Sequence, residues 1–355
     1  MPVLTRLVPS PLVVDIRAGA LDDLQSVLAD QRISASGRIA VAVSAGSGAA
    51  LRERLAPQMP GADWYAVPDG TLDSAVRLAE EMRSGHYDAL VGLGGGKIID
   101  AAKYAGARVG LPVVAVATNL AHDGLCSPVS TLDNDAGRGS YGVPSPIGLI
   151  VDLDVIRQAP ARFVNAGIGD IISNISACAD WELSKRVTGE QVDGLAVAMA
   201  RSAGELMLRH PGTIADDNML VALAESLVLS GISMNIAGST RPSSGACHEI
   251  NHALDILYPT RNAQHGEQCG LGAAFATHLR GDLELSGQMA EVLARHRLPV
   301  TAAQIGFSDE EFVAAVHYAP QTRPGRFTIL EHLDLDPSAI RDAYTDYVKH
   351  VSSCT

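Results

Sequence analysis

Over its first half the chain alternates short β-branched runs with segments of helical period, and that alternation admits few architectures. Strands that are each followed by a helix feed a parallel sheet, because a parallel connection has to cross back over the sheet. Leu12 to Ile16 reads as an edge strand, and Leu21, Leu24, Val27 and Leu28 mark the apolar face of the helix behind it. Arg38 to Ser44 (RIAVAVS) is a buried strand closing in a small-residue turn, Ala45 to Gly48, and Trp64 to Val67 precedes the amphipathic segment Leu72 to Met82. Ala89 to Leu93 and Pro112 to Ala117 follow, a β excursion is expected around Val129 to Leu132, and Gly148 to Val151 returns to the sheet. After Asp154 helical periods dominate: Ile168 to Arg186, Val192 to His210, Asp217 to Asn235, then shorter helices punctuated by Pro259, Pro299 and Pro320. With 355 residues the chain exceeds one comfortable core. The expected fold class is an α/β domain with a parallel sheet over residues 1–159 and an all-helical domain over 160–355, with the cleft between them as the default site.

Composition removes several functions. A net charge of −13 without any run of Lys and Arg argues against a nucleic-acid partner. The five cysteines, Cys126, Cys178, Cys247, Cys269 and Cys354, are scattered and odd in number, which favours a reducing compartment over a disulfide framework. The N-terminal MPVLTRLVPSPLVVD carries two prolines among its apolar residues and lacks the shape of a signal peptide, so a cytoplasmic location is expected. Met219 to Ala237 is near membrane-spanning length, but Glu225, Ser226, Ser230 and Asn235 interrupt it, and a buried helix is expected instead of membrane insertion.

Two stretches carry chemistry. In DALVGLGGGKIIDAAKYAG, Gly94, Gly95 and Gly96 lie between strand and helix, where missing side chains let a phosphate approach backbone amides at the positive end of the helix. The Walker A pattern fails, since Ile98 follows Lys97, and the GxGxxG pattern counted from Gly92 fails at Lys97. Thr118, Asn119, His122, Asp123 and Ser127 crowd the end of the next strand, on the side where open sheets bind ligands. The second stretch, Arg241 to Gly272, holds His248 and His252, four apart in a helix-compatible run, and then His265 beyond Pro259. Neutral imidazoles gathered this way suit a divalent transition metal, although a histidine among apolar residues is more often a hydrogen-bonded core residue. Asp170 stands in the largely apolar GIGDIISN, where burial is costly unless the carboxylate is paired or metal-bound, and it is the candidate third ligand.

Six segments in order, GGGKIIDAAK, AHDGLCSPVS, PIGLIVDLDVI, GIGDIISN, RPSSGACHEINHALD and QHGEQCG, closely resemble the glycerol-1-phosphate dehydrogenases, within the superfamily of iron-containing (group III) alcohol dehydrogenases, glycerol dehydrogenases and dehydroquinate synthases. The resemblance runs from about Ile39 to Leu279. It implies a Rossmann-like first domain, a helical second domain, and one divalent metal held by Asp170, His248 and His265. Zinc is the expected ion, with ferrous iron and nickel as alternatives. By the same resemblance His252 contacts the substrate phosphate instead of the metal, and Asp123 contacts substrate. Gly94, Gly95, Gly96, Thr118 and Ser127 fall on cofactor positions, and Asp100 belongs to the same glycine motif. Two departures stand out: Cys247 where many members have Glu, and Ala117 before Thr118 where many have Pro.

The resemblance implies interconversion of dihydroxyacetone phosphate and sn-glycerol 1-phosphate, or a related polyol phosphate, with NAD or NADP. Asp123, His252 and His122 are the candidate catalytic residues, Asp123 with His122 orienting a hydroxyl or relaying a proton. No acidic residue at the strand end near Ser44 excludes the 2′-phosphate of NADP. A sugar-phosphate cyclase like dehydroquinate synthase, using NAD transiently, is the rival reading, together with a glycerol or alcohol dehydrogenase of the same superfamily. Related enzymes commonly associate, so a homo-oligomer is expected.

Overall fold

The computed structural model describes residues 10–46, 48–135, 137–261 and 263–354. Residues 1–9, which carry most of the stretch argued against a signal peptide, and Ser47 of the expected small-residue turn lie outside the described residues. The chain divides into two compact units, one of residues 10–119 with 124–159 and the other of 120–123 with 160–354. The short segment 120–123, which carries His122 and Asp123, therefore goes with the helices.

The first unit contains β1 (Val13–Arg17), β2 (Ile39–Ser44), β3 (Asp63–Val67), β4 (Ala89–Gly94), β5 (Val113–Ala117), β6 (Val129–Asn134), β7 (Gly137–Gly142) and β8 (Gly148–Asp152). Six of them form one sheet in the order β1-β8-β5-β4-β2-β3, every pair parallel. Side chains alternate across it. Val41, Val43, Val91, Leu93, Val114 and Val116 pack with Leu21, Leu24 and Leu55 on one face. Ala40, Ala42, Leu90 and Val113 pack with Leu78, Ile98 and Ala102 on the other. Burial on both faces explains the unbroken apolar runs of the inner strands. β1 is an edge, as its sequence suggests, and leaves Val14 exposed.

From β2 the chain moves outward to β3, and from β4 it moves the opposite way to β5. The order thus reverses between the adjacent β2 and β4, and the carboxyl ends of such strands are where open sheets of this Rossmann-like kind bind ligands. The expected β excursion is a two-stranded antiparallel hairpin of β6 and β7. Its second strand, GRGSYG, has no β-branched residue and carries no strand signal of its own. Lys103, buried on the helix Gly96–Val109, ties this region together. Its ammonium pairs with Asp100 at 2.9 Å, donates to the Gly124 carbonyl at 2.7 Å and also reaches the Val129 carbonyl.

The second unit is helical. Its main helices are Ala161–Thr188, Gly194–Arg209, Asp217–Ala237, Ala246–Leu257, His265–Leu279, Leu283–Arg295, Asp309–Tyr318 and Pro337–Cys354. The first begins at Ala161, directly after Pro160, instead of at Ile168. Arg162, Phe163 and Asn165 blur the apolar period there, while proline suits a helix start because the first N–H groups need no intrahelical acceptor. Asp217–Ala237 is long and apolar enough to cross a membrane, but 72% of its most apolar window is buried inside the protein, as expected for a core helix.

Candidate active site

Asp170, His248 and His265 converge inside the helical unit. The His265 Nε2 lies 3.4 Å and the His248 Nε2 3.9 Å from the Asp170 Oδ1, and the two imidazole centroids are 4.9 Å apart. Donors sharing one tetrahedral cation, with bonds of about 2.0–2.1 Å, stand about 3.4 Å from one another. The three side chains therefore have the spacing and the chemistry for a divalent ion. Cys269, one turn beyond His265, brings a fourth donor atom within 4.8 Å of the others. Its Sγ is 3.7 Å from Nδ1 and 3.6 Å from Nε2, so the thiol stands beside the ring and off the line of the Nε2 lone pair.

Local sequence explains the convergence. Asp170 sits within the helix Ala161–Thr188, flanked by small residues. A Cβ on Gly167 would lie 1.9 Å from the Leu120 carbonyl oxygen, so only glycine lets the 120–123 segment lie against this helix. A Cβ on Gly266 would lie 1.8 Å from the Ala166 carbonyl oxygen, so the start of His265–Leu279 can press onto the same helix only with glycine next to the ligand. A capping box between Gln264 and Glu267 fixes that helix start. Arg162 clamps Glu267 from the first helix with paired hydrogen bonds of 2.6 and 2.7 Å.

The electrostatics prepare the donors. Burial alone would raise the Asp170 pKa, but the hydrogen bond and charge of His265, with smaller contributions from His248 and His122, bring it down to about 2. Burial pulls His265 downward, and hydrogen bonding to Asp170 together with its charge outweighs this and raises it. His248 is held well below the ordinary histidine range by burial and then by the nearby His265. The tautomer of His265 follows from its neighbours. The Asn251 Nδ2 donates to the Gln268 Oε1, which leaves the Asn251 Oδ1 to accept from the His265 Nδ1–H at 2.8 Å. The Nε2 then faces Asp170 and is the ring nitrogen available to an ion.

The neighbours of this centre are polar and ordered. The Asp123 backbone N–H donates to the Asp170 Oδ2 at 2.9 Å, and its own Oδ2 accepts from the Ser230 hydroxyl at 2.7 Å. Asn174 donates to the same Ser230 oxygen at 2.9 Å. The His122 ring is 6.3 Å from that of His265. His252, one turn after His248, is half-buried and accepts a hydrogen bond from Arg323 at 3.2 Å. Cys247 stands with its sulfur 3.3 Å from the His248 Nδ1, and burial pushes its thiol up to about 12. Sequence reasoning did not find Asn251, Cys269, Ser230 or Arg323. Two of these carry a signal in the sequence, Cys269 by its spacing of four from His265 and Arg323 by its place in the turn-forming RPGR.

The other expected ligand residues lie in the α/β unit. Gly94 ends β4, and Gly95 precedes the helix Gly96–Val109, whose first turn has no side-chain cap. A Cβ on Gly95 would lie 2.5 Å from the Asn119 amide nitrogen, so glycine there lets the Asn119 side chain lie against the strand end, while the backbone amides at the helix start carry no side-chain cap. That fits a pyrophosphate on the helix N-terminus. The Thr118 N–H donates to the Gly94 carbonyl at 3.0 Å and ties the ends of β5 and β4 together. Asp100 and Ser127 are buried around the Lys103 ammonium, at 2.9 and 3.4 Å.

Comparison with known proteins gives consistent matches. The family model described as iron-containing alcohol dehydrogenase matches residues 15–160. The chain is 39% identical over 267 residues to the glycerol-1-phosphate dehydrogenase (NAD(P)+) of Methanospirillum hungatei, covering 74% of this chain and 73% of that protein. It is 35% identical over 328 residues to the protein of the same name from Methanosphaerula palustris, covering 90% and 89%. The crystal structure of glycerol dehydrogenase from Schizosaccharomyces pombe superposes with a TM-score of 0.79 at 20% identity, covering 99% of this chain and 92% of that one, a likeness of fold.

Proposed function

The chain belongs to the glycerol-1-phosphate dehydrogenases, among the iron-containing alcohol dehydrogenases, and from that premise we propose that it interconverts dihydroxyacetone phosphate and sn-glycerol 1-phosphate with NAD or NADP and one divalent cation. The observation that carries the reading is the approach of one buried carboxylate and two imidazoles to a common point, with Asp170 Oδ1 3.4 Å from one ring nitrogen and 3.9 Å from the other. Zinc, ferrous iron and nickel all accept such donors. In the bound state the cation supplies Lewis acidity toward the substrate oxygen, and the nicotinamide supplies hydride chemistry at C2.

The protein's own residues do the rest. Asp170 supplies the carboxylate donor, its pKa lowered by the neighbouring His265 against the cost of burial. Asn251 holds the His265 ring with Nε2 toward Asp170. Asp123, its carboxylate fixed by Ser230, orients the substrate hydroxyls and with His122 carries the proton that enters or leaves at the C2 oxygen. His252, one helical turn from His248, holds the phosphate. Gly94, Gly95 and Gly96 receive the dinucleotide pyrophosphate at a helix N-terminus that no side chain caps.

Turnover with dihydroxyacetone phosphate, dihydroxyacetone, glycerol and glycerol phosphates, followed through NADH and NADPH absorbance, tests this directly. Net NAD(P)H consumption with dihydroxyacetone phosphate is expected to exceed that with dihydroxyacetone by at least about a hundredfold in kcat/KM. Preference for an unphosphorylated polyol, or turnover without net change in NAD(P)H, would refute it.

A further inference from the structure

The sequence Arg323-Pro324-Gly325-Arg326 forms a tight turn, closed by a hydrogen bond from the Arg326 N–H to the Arg323 carbonyl at 3.0 Å. Pro324 and Gly325 take its central positions, and Gly325 has the positive φ of +85° that such a turn requires. Two arginines therefore leave the turn from its two ends. Arg326 anchors it. Its guanidinium donates to the Thr240 hydroxyl at 2.9 Å and reaches the Ser244 carbonyl, both just before the helix Ala246–Leu257. Arg241 donates to the Phe327 carbonyl at 3.1 Å, and Asp180 accepts from the Ile329 N–H at 2.8 Å. The turn is thus pinned on both sides, and Arg323 is presented from a fixed base.

Arg323 meets the helix that carries His248. Its Nη2 lies 3.2 Å from the His252 Nε2, and both side chains are only partly buried, so an anion can reach them. His252 is one turn, about 6 Å, further along that helix than His248. A phosphate one methylene and one ester oxygen removed from a ketone carbon spans a comparable length. Guanidinium is suited to phosphate because its planar N–H fork matches two oxygens at once.

We propose that Arg323 is a phosphate-binding residue, acting with His252 to select phosphorylated over unphosphorylated polyols. This rests on the polyol-phosphate reading above. Burial lowers the Arg323 pKa, so the charged guanidinium is held at a cost that an incoming phosphate dianion offsets. The two residues come from segments far apart in sequence, and the helix supplies the spacing from the reacting centre while the turn supplies the charge.

Two readouts separate this inference from the function it rests on. In steady-state kinetics on the intact enzyme, Arg323→Ala is expected to lower kcat/KM for dihydroxyacetone phosphate about a hundredfold, at least tenfold more than for dihydroxyacetone, with most of the loss in KM. Arg323→Lys is expected to recover part of it, and His252→Ala to show the same split between substrates. Separately, millimolar inorganic phosphate is expected to raise the Tm of the wild type over equal ionic strength of chloride, and to raise that of Arg323→Ala less. If the wild type turns over dihydroxyacetone phosphate but Arg323→Ala and Arg323→Lys lose both substrates equally, the inference falls and the function stands. If phosphate protects the variant as well as the wild type, the inference also falls. If phosphate protection is lost in the variant but no polyol phosphate is turned over, the anion site stands and the function falls.

Discussion

His296 shows how far burial, aided by nearby positive charge, can move the pKa of a side chain. It is 3% exposed, its Nε2 has no hydrogen-bond partner among the described residues, and burial, followed by the charges of Arg295 and His210, lowers its pKa to about 4 from 6.5. Between those values the unfolded chain binds the extra proton and the folded one does not, so stability rises with pH and is lost as acid is added from 6.5 toward 4. One such group contributes a slope of at most about 1.4 kcal/mol per pH unit. Urea midpoints of wild type and His296→Gln from pH 4.5 to 7 are expected to show a shallower acid slope in the variant, and identical slopes would contradict the assignment. The same logic made Asp170 legible in the sequence, since a carboxylate among Ile168, Ile171 and Ile172 needs a reason to be there. Asn251 and Ser230 were not legible, because an amide or hydroxyl acquires its role only from what another helix brings to it.

The elements were legible where one rule sufficed. The inner strands of the sheet are apolar without interruption, and their positions follow from that alone. β7 carries no sequence signal because its glycines and polar residues form a strand only by pairing with β6, and the long helix begins at Ala161, ahead of Ile168, where the apolar period is broken. Helix spacing by itself favoured His248 and His252 as a ligand pair, and it is packing between helices that brings His265 to Asp170 instead. That packing rests on glycine. Gly266→Ala would set a methyl group 1.8 Å from the Ala166 carbonyl oxygen and force the two helices apart. A destabilisation of about 3 kcal/mol, or a Tm lower by roughly 6 °C or more, is expected by thermal unfolding, with weaker metal retention alongside. An unchanged Tm would mean that the helix crossing is looser than described.

At the scale of the molecule the work is divided. The α/β unit carries the glycines at the ends of its central strands, and the helical unit carries Asp170, His248 and His265 together with Asp123, His252 and Arg323. In a chain with a net charge of −13, the Arg323 guanidinium beside His252 is a local positive charge suited to the anionic substrate proposed above. That division is also what a single sequence shows best, for the change from alternating to purely helical pattern is visible without any coordinates. Asp170, His248 and His265 are placed to hold one cation on which turnover is expected to depend. Reduction of dihydroxyacetone phosphate, measured before chelation, after metal removal verified by elemental analysis, and after restoring the ion, tests it most directly. The expected result is loss of NAD(P)H oxidation in step with loss of about one ion per chain, recovery on adding the ion back, and no recovery in His265→Ala. Full activity in protein verified to be metal-free would contradict it.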